Sequence, residues 1–454
     1  MADSADSAPG VLDPFRQFFS LRRDVLVLSL AMFAFSLGFQ MTSRFIPDYL
    51  IHLGATGLIV GLFGTLGNLI AAVFPYYGGV ISDRVGSRYA LTVFGLFSTL
   101  GFTIWLIAGF VPTLSLGAII LEPWVWIFVG LLLAQAWKSF GLGATYAIVK
   151  QSVDPSRLAR GFASTETFRR AAFLIAPLIV LVLVADDLMP GFLWVLALAV
   201  IFGLIATVAQ HVLYESSEDT IGKKFEGLQQ IRDDIRDLPP ELRPLLVADT
   251  IVRFANGMVY IFFILVITEL YGIGLTLTLP VLGTVSLSPP AFFGLLLAVE
   301  MSIALLTMAP TAKLAEYVGL KPVVALGFSV YAIFPILYIH APENAVVLII
   351  LFAFSGLRFA GLPAHKALIV GPAESGAGGR VTGSYYLVRN LIVIPSAALG
   401  GLLWEGFSNP LTGETVLESS PELAFTLASI IGIIGVVYFL LFGREFEPYQ
   451  PGST

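Results

Sequence analysis

A chain of 454 residues that is 57% hydrophobic and 12% charged, with a mean hydropathy of +0.88, is not a soluble domain, where about a quarter of residues carry charge. A net charge of −6, with basic residues dispersed rather than clustered, excludes a nucleic-acid-binding surface. The chain has no cysteine, which excludes disulfides and thiolate metal centres.

Residues 1–24 are polar, with Asp3, Asp6, Pro9 and Asp13. They predict a cytoplasmic tail and not a cleaved signal, because the apolar run that follows is too long for a signal core. A bilayer core about 30 Å thick needs roughly 20 apolar residues per helix. Twelve spans satisfy this near residues 25–50, 56–81, 90–111, 122–149, 161–185, 191–212, 246–270, 290–310, 322–340, 344–371, 381–404 and 423–442. The one long polar stretch between spans runs from Tyr214 to Pro244 and contains Glu215, Glu218, Asp219 and Pro239-Pro240. The expected organisation is a tail (1–24), a six-helix bundle (25–213), a linker (214–244), a second bundle (245–443) and a short tail (444–454).

Lysine and arginine occupy alternate connections. Arg16, Arg22 and Arg23, Arg84 and Arg88, Arg157 and Arg160, the linker, Lys313 and Lys321, Arg380 and Arg444 fall on one side. The opposite side carries acids: Glu122, Asp186, Asp187, Glu343, Glu405, Glu414, Glu418 and Glu422. Basic residues near span ends stay cytoplasmic, so the linker and both termini are expected in the cytoplasm.

The two halves repeat. A shift of 220 residues brings Lys138 onto Arg358, Asp154 onto Glu374, Arg160 onto Arg380, Ser164 onto Ser384 and Arg169 onto Arg389. A shift of 233 brings Gly61 onto Gly294, Asp83 onto Glu316 and Gly86 onto Gly319. Charged residues matching in register are harder to obtain by chance than apolar ones. An internally duplicated bundle is the expected architecture.

Between spans two and three lies Gly79-Val-Ile-Ser-Asp83-Arg84-Val-Gly86-Ser87-Arg88. The stretch suits a tight turn: Gly79 permits close helix contact, Gly86 accepts positive φ, and Asp83 can face a helix N-terminus. It resembles the loop motif of the major facilitator superfamily, departing at Ser87, where that family has a basic residue. The resemblance covers the chain apart from its tails. It implies an all-α integral membrane protein, with twelve transmembrane helices in two pseudo-symmetric six-helix bundles, working as a secondary transporter by alternating access. It also implies that Gly79, Asp83, Arg84, Gly86 and Arg88 form a conformational latch, with Asp83 contacting span eleven; a turn-stabilising cap is the alternative. Family antiporters carry an arginine in span four and Gly-Pro in span five. Here those places hold Lys138 and Ala176-Pro177, so protons are a compatible coupling ion without being indicated.

A charge at mid-span is expensive, about 2.5–3.5 kcal/mol on insertion scales, and marks a pathway or an internal pair. Lys138 and Arg358 are expected as matched cavity cations, the alternative being that each pairs with a neighbouring acid or carbonyl to fix helix packing. Glu300, in the middle of span eight, is expected either to exchange protons or to hold Arg358. Asp249 and Arg253, at i and i+4, read as a local pair, with Arg253 also a cavity candidate. Arg44 is expected to reach the outer surface beside Pro47-Asp48, with the cavity as the alternative. His365 reads as a packed residue.

Intramembrane hydrolysis would need a Ser/His dyad, paired aspartates or His-Glu-x-x-His; His52, His211, His340 and His365 have no such neighbours. No repeated filter motif suggests a channel, so no enzyme, no cofactor and no metal is expected. The expected function is transport of a small molecule, leaning to an anionic or zwitterionic one, by a monomer in the plasma-membrane lipid bilayer. Efflux of hydrophobic drug-like compounds and a non-transporting sensor are the alternatives.

Overall fold

The computed structural model describes residues 23–116, 119–139, 158–213, 232–233, 235–236, 238–279, 283–370, 378–408 and 415–445. Twelve helical rods run through them in the predicted order. The first half holds α1 (Arg23–Ser43, then Ile46–His52), α2 (Gly57–Val85), α3 (Ser87–Ala108), α4 (starting with Trp124–Ala134), α5 (Leu158–Leu183) and α6 (Leu188–Leu213). The second holds α7 (Arg243–Val259, continued by short turns to Tyr271), α8 (Pro289–Val318), α9 (Leu320–Ile339), α10 (Ala345–Gly356, Leu357–Phe359 and Leu362–Val370), α11 (Gly378–Val393 and Ser396–Glu405) and α12 (Pro421–Phe442). Among the described residues nine of these, all but α1, α4 and α5, are long and apolar enough to cross a membrane.

Several rods are broken, and local sequence explains two of the breaks. Pro47 opens the second piece of α1 and Pro395 precedes the second piece of α11. Proline removes a backbone donor and clashes with the preceding turn. Three helices entering from one end are capped by side chains: Ser288 for α8, Asn344 for α10 and Ser420 for α12.

That same end carries features an all-helical reading does not anticipate. Three antiparallel ribbons join consecutive helices: β1 (Leu114–Leu116) with β2 (Ile119–Leu121), β3 (Leu275–Leu279) with β4 (Gly283–Leu287), and β5 (Phe407–Ser408) with β6 (Thr415–Leu417). The alternation Leu-Thr-Leu-Thr-Leu in β3 suits a strand. We call this end the hairpin face and the opposite end, from which α6 leaves and α7 enters, the linker face.

The halves repeat in three dimensions. In the first, α1 packs on α5 and α6, and α3 on α4 and α6; in the second, α7 packs on α11 and α12, and α9 on α10 and α12. The turns into α3 and α9 both use a glycine in a conformation closed to other residues: Gly86 has φ 89° and Gly319 φ 92°. Two residues on, Arg88 Nε donates to the His211 carbonyl at 2.8 Å, and Lys321 Nζ to the Leu440 carbonyl at 2.9 Å. Each ties the start of the third helix to the end of the sixth. Gly319→Ala should cost about 1–3 kcal/mol, the range for a strained backbone position, because its Cβ would also meet Glu445 Oε2 at 2.8 Å. Unfolding of the purified variant checks this; an unchanged midpoint would mean the turn relaxes freely.

The halves meet along α2 with α11 and α5 with α8. The named contacts gather toward the hairpin face. Gly57 N donates to Glu405 Oε2 at 3.0 Å, and Ser288 N donates to the Ala185 carbonyl at 2.8 Å while its hydroxyl reaches the Val184 carbonyl. Phe45 and Phe293 pack edge to face at 5.8 Å. α2 and α11 touch through bare backbone: a Cβ on Gly61 would lie 2.8 Å from Gly401 Cα, and one on Gly401 3.0 Å from Gly61 Cα.

Candidate functional site

Between the halves lies a cavity of about 550 Å³, within the range that holds a small metabolite. Its walls come from α1, α2, α4, α5, α7, α8 and α11. Four cations line it: Arg44 and Lys138 from the first half, Arg253 and Arg389 from the second. The amides of Gln40, Asn68, Asn256 and Asn390 and the hydroxyls of Ser36 and Ser43 complete its polar surface, and aromatic rings fill much of the rest. No aspartate or glutamate lines the cavity among the described residues.

Each cation is positioned by its helix. α1 stops at Ser43, so the chain turns at Arg44, whose guanidinium lies 3.8 Å from the centre of the Tyr260 ring. The expectation that Arg44 reaches the outer surface is therefore corrected: depth was reckoned along a straight helix, and the break turns the side chain inward. Lys138 is exposed to the cavity with its ammonium 3.8 Å over the Phe39 ring, an attraction that strengthens away from water.

Arg253 and Arg389 are held from behind by one carboxylate. Asp249, fully buried, accepts from Arg253 Nε at 3.3 Å, Arg389 Nη1 at 3.1 Å and the Tyr385 hydroxyl at 3.1 Å, with His365 Nε2 at 3.4 Å. The sequence reading of a local Asp249–Arg253 pair is thus too small: four side chains from α7, α10 and α11 converge on this acid. Arg389 also donates from Nε and Nη2 to Asn390 Oδ1, at 3.1 and 2.9 Å. Sequence reasoning noticed Arg389 only as the repeat partner of Arg169. The signal that would have found it is the one applied to Lys138, a cation well inside a span.

Lys138 and Arg358, expected as a matched pair of cavity cations, are not brought together. Arg358 is 2% exposed and does not line the large cavity. Its Nη2 donates to Glu300 Oε1 at 2.7 Å, and the same oxygen accepts from the Ser355 hydroxyl. Five rings, Tyr260, Phe263, Tyr331, Phe334 and Phe359, surround its guanidinium at 4.8–5.9 Å. Tyr331 links the two groups, because its hydroxyl accepts from Arg253 Nη1 at 2.9 Å. Glu300, fully buried, is likewise absent from the cavity wall. Of the latch residues, Arg88 makes the bond to α6 already described and Gly86 forms the turn. Gly79, Asp83 and Arg84 fall in the part of α2 whose side chains lie outside the described residues.

The fold is shared with solved transporters. The nucleoside transporter NupG superposes with a TM-score of 0.65 at 12% identity, covering 94% of this chain and 100% of that one. A POT family transporter in complex with 5-aminolevulinic acid gives 0.66 at 14%, covering 93% and 96%. A peptide transporter POT in complex with sulfate gives 0.67 at 14%, covering 95% and 97%. At such identities the likeness is one of fold. In sequence, an uncharacterized MFS-type transporter of Mycobacterium tuberculosis strain H37Rv is 30% identical over 224 residues; the chain spans about half the length of that relative, 49% of each. Paired bundles around a central cavity, multiple membrane-crossing helices and a match of the Major Facilitator Superfamily profile to residues 28–289, more than half of the chain, agree: the chain belongs to the Major Facilitator Superfamily.

Proposed function

We propose that the chain is a secondary active transporter carrying a small anionic or zwitterionic solute by alternating access. One observation carries the reading: four cations and no carboxylate among the described residues line the central cavity. Charges kept in a low-dielectric site are costly unless compensated; Asp249 offsets part of the charge that Arg253 and Arg389 bring, and an anionic solute adds to that compensation. A lipophilic cation would meet repulsion there, which weighs against drug efflux. In this reading the contacts at the hairpin face close the cavity outward, and the linker face, cytoplasmic by its lysines and arginines, admits the solute.

Proton coupling, where present, falls to Asp249 rather than Glu300. Asp249 holds two of the arginines a substrate would use, so protonating it hands them to the solute. Glu300 is bound to an arginine outside the cavity. A ligand-stabilisation screen of the purified protein against anions, amino acids, sugars and lipophilic cations tests the reading. Anions or zwitterions should raise the unfolding temperature. Stabilisation by lipophilic cations alone would overturn it. With the stabilising anion in proteoliposomes, Asp249→Asn should lose pH-gradient-driven accumulation while keeping counterflow exchange. Gradient-driven uptake at wild-type level would remove Asp249 from coupling.

A further inference from the structure

We infer that the preferred solute carries two negative charges, one engaged by each half of the protein. The inference rests on the proposed anion site and names the class of its ligand. Three arginines face the cavity: Arg44 from α1, Arg253 from α7 and Arg389 from α11. Arg253 and Arg389 share a single counterion, Asp249. Among the described residues Arg44 meets the Tyr260 ring, a π face that offers attraction but no compensating charge. Among the described residues, three positive charges against one negative leave two in excess, before Lys138 is considered and with His365 adding charge only when protonated.

The excess is divided in space. Arg44 belongs to the first half; the residual charge of the Arg253–Asp249–Arg389 group belongs to the second. A monoanion satisfies one side and leaves the other unmet inside the membrane. A dianion satisfies both, and by engaging both halves at once it favours the closed arrangement needed for the cycle to proceed. The shared chemistry is a dianion of metabolite size; it is met either by one doubly charged group, as in a sulfate or phosphate monoester, or by two carboxylates.

Matched probes separate charge from shape. Sulfate against methanesulfonate, and succinate against monomethyl succinate, each differ by one charge at similar size. Binding to the full-length purified protein is measured by thermal shift and calorimetry at fixed ionic strength, because screening changes with salt. In at least one pair the dianion should bind tenfold or more tightly than its monoanion, and which pair does so separates the single-group from the two-carboxylate source. Arg44→Gln should abolish that preference and Arg44→Lys retain it, with unfolding midpoints confirming that both variants fold. Equal affinity within both pairs overturns the dianion while leaving the anion site standing. A preference that survives in folded Arg44→Gln also overturns the division between halves. Absence of binding by all four probes, together with stabilisation by lipophilic cations in the wider screen, overturns both this inference and the anion site.

Discussion

The double variant Gly61→Leu/Gly401→Leu will empty the conformation described above. These glycines let α2 and α11 meet backbone to backbone, with Cβ positions 2.8–3.0 Å from the opposing Cα atoms. Overpacking an ordinary core costs about 1–3 kcal/mol because side chains adjust. Here the opposing atoms are main chain, and the helices must part. Inverting a 99:1 population takes about 5.5 kcal/mol, which two such clashes approach. The expected result is a protein that folds but stands open at the hairpin face. Amide hydrogen exchange in residues 53–62 and 398–406 should speed up at least tenfold, and net transport should be lost. Wild-type exchange and transport would show that this glycine contact does not hold the face closed.

Glu300→Gln is expected to cost about 3–5 kcal/mol of stability, the usual consequence of leaving one partner of a buried ion pair uncompensated. The guanidinium of Arg358 would remain among five rings with no counter-charge. Adding Arg358→Met removes the stranded charge and supplies an apolar chain of similar reach, so the double variant should recover most of the loss. Unfolding in mixed micelles measures both. If Glu300→Gln is as stable as wild type, the pair is not the structural strut its geometry suggests, and a role for Glu300 in the transport cycle returns to the front.

The sequence showed depth well and azimuth poorly. Hydropathy located most helices to within a few residues because each apolar stretch must cross a fixed thickness; α8 runs eight residues past the expected 310, to Val318, and the expected end of the fourth span lies outside the described residues. The repeat was legible because charged and glycine positions recur at two offsets, 220 and 233, and Gly86 with Gly319, a pair at the second offset, share a backbone conformation. Mid-span depth singled out Lys138, Arg358 and Glu300, and Arg253 entered as the i+4 partner of Asp249. It did not say which helix face each occupies, and that rotation decides whether a cation lines the cavity, as Arg253 does, or buries itself on a neighbour, as Arg358 does. Arg44 was misplaced because a break in α1 changes direction without changing hydropathy. The Asp249 cluster joins residues up to 140 positions apart, beyond the reach of any local pattern.

The ribbons at the hairpin face have a practical consequence. β1–β2 belongs to the first half and β5–β6 to the second, and Ser115 and Thr415 are exposed on them. The chain contains no cysteine, so thiols placed at these two sites would be the only ones in the molecule. A pair of spin labels or fluorophores attached there forms a ruler across the hairpin face. The ruler lies clear of the cavity, needs no background substitutions, and lengthens when the two bundles part at that face.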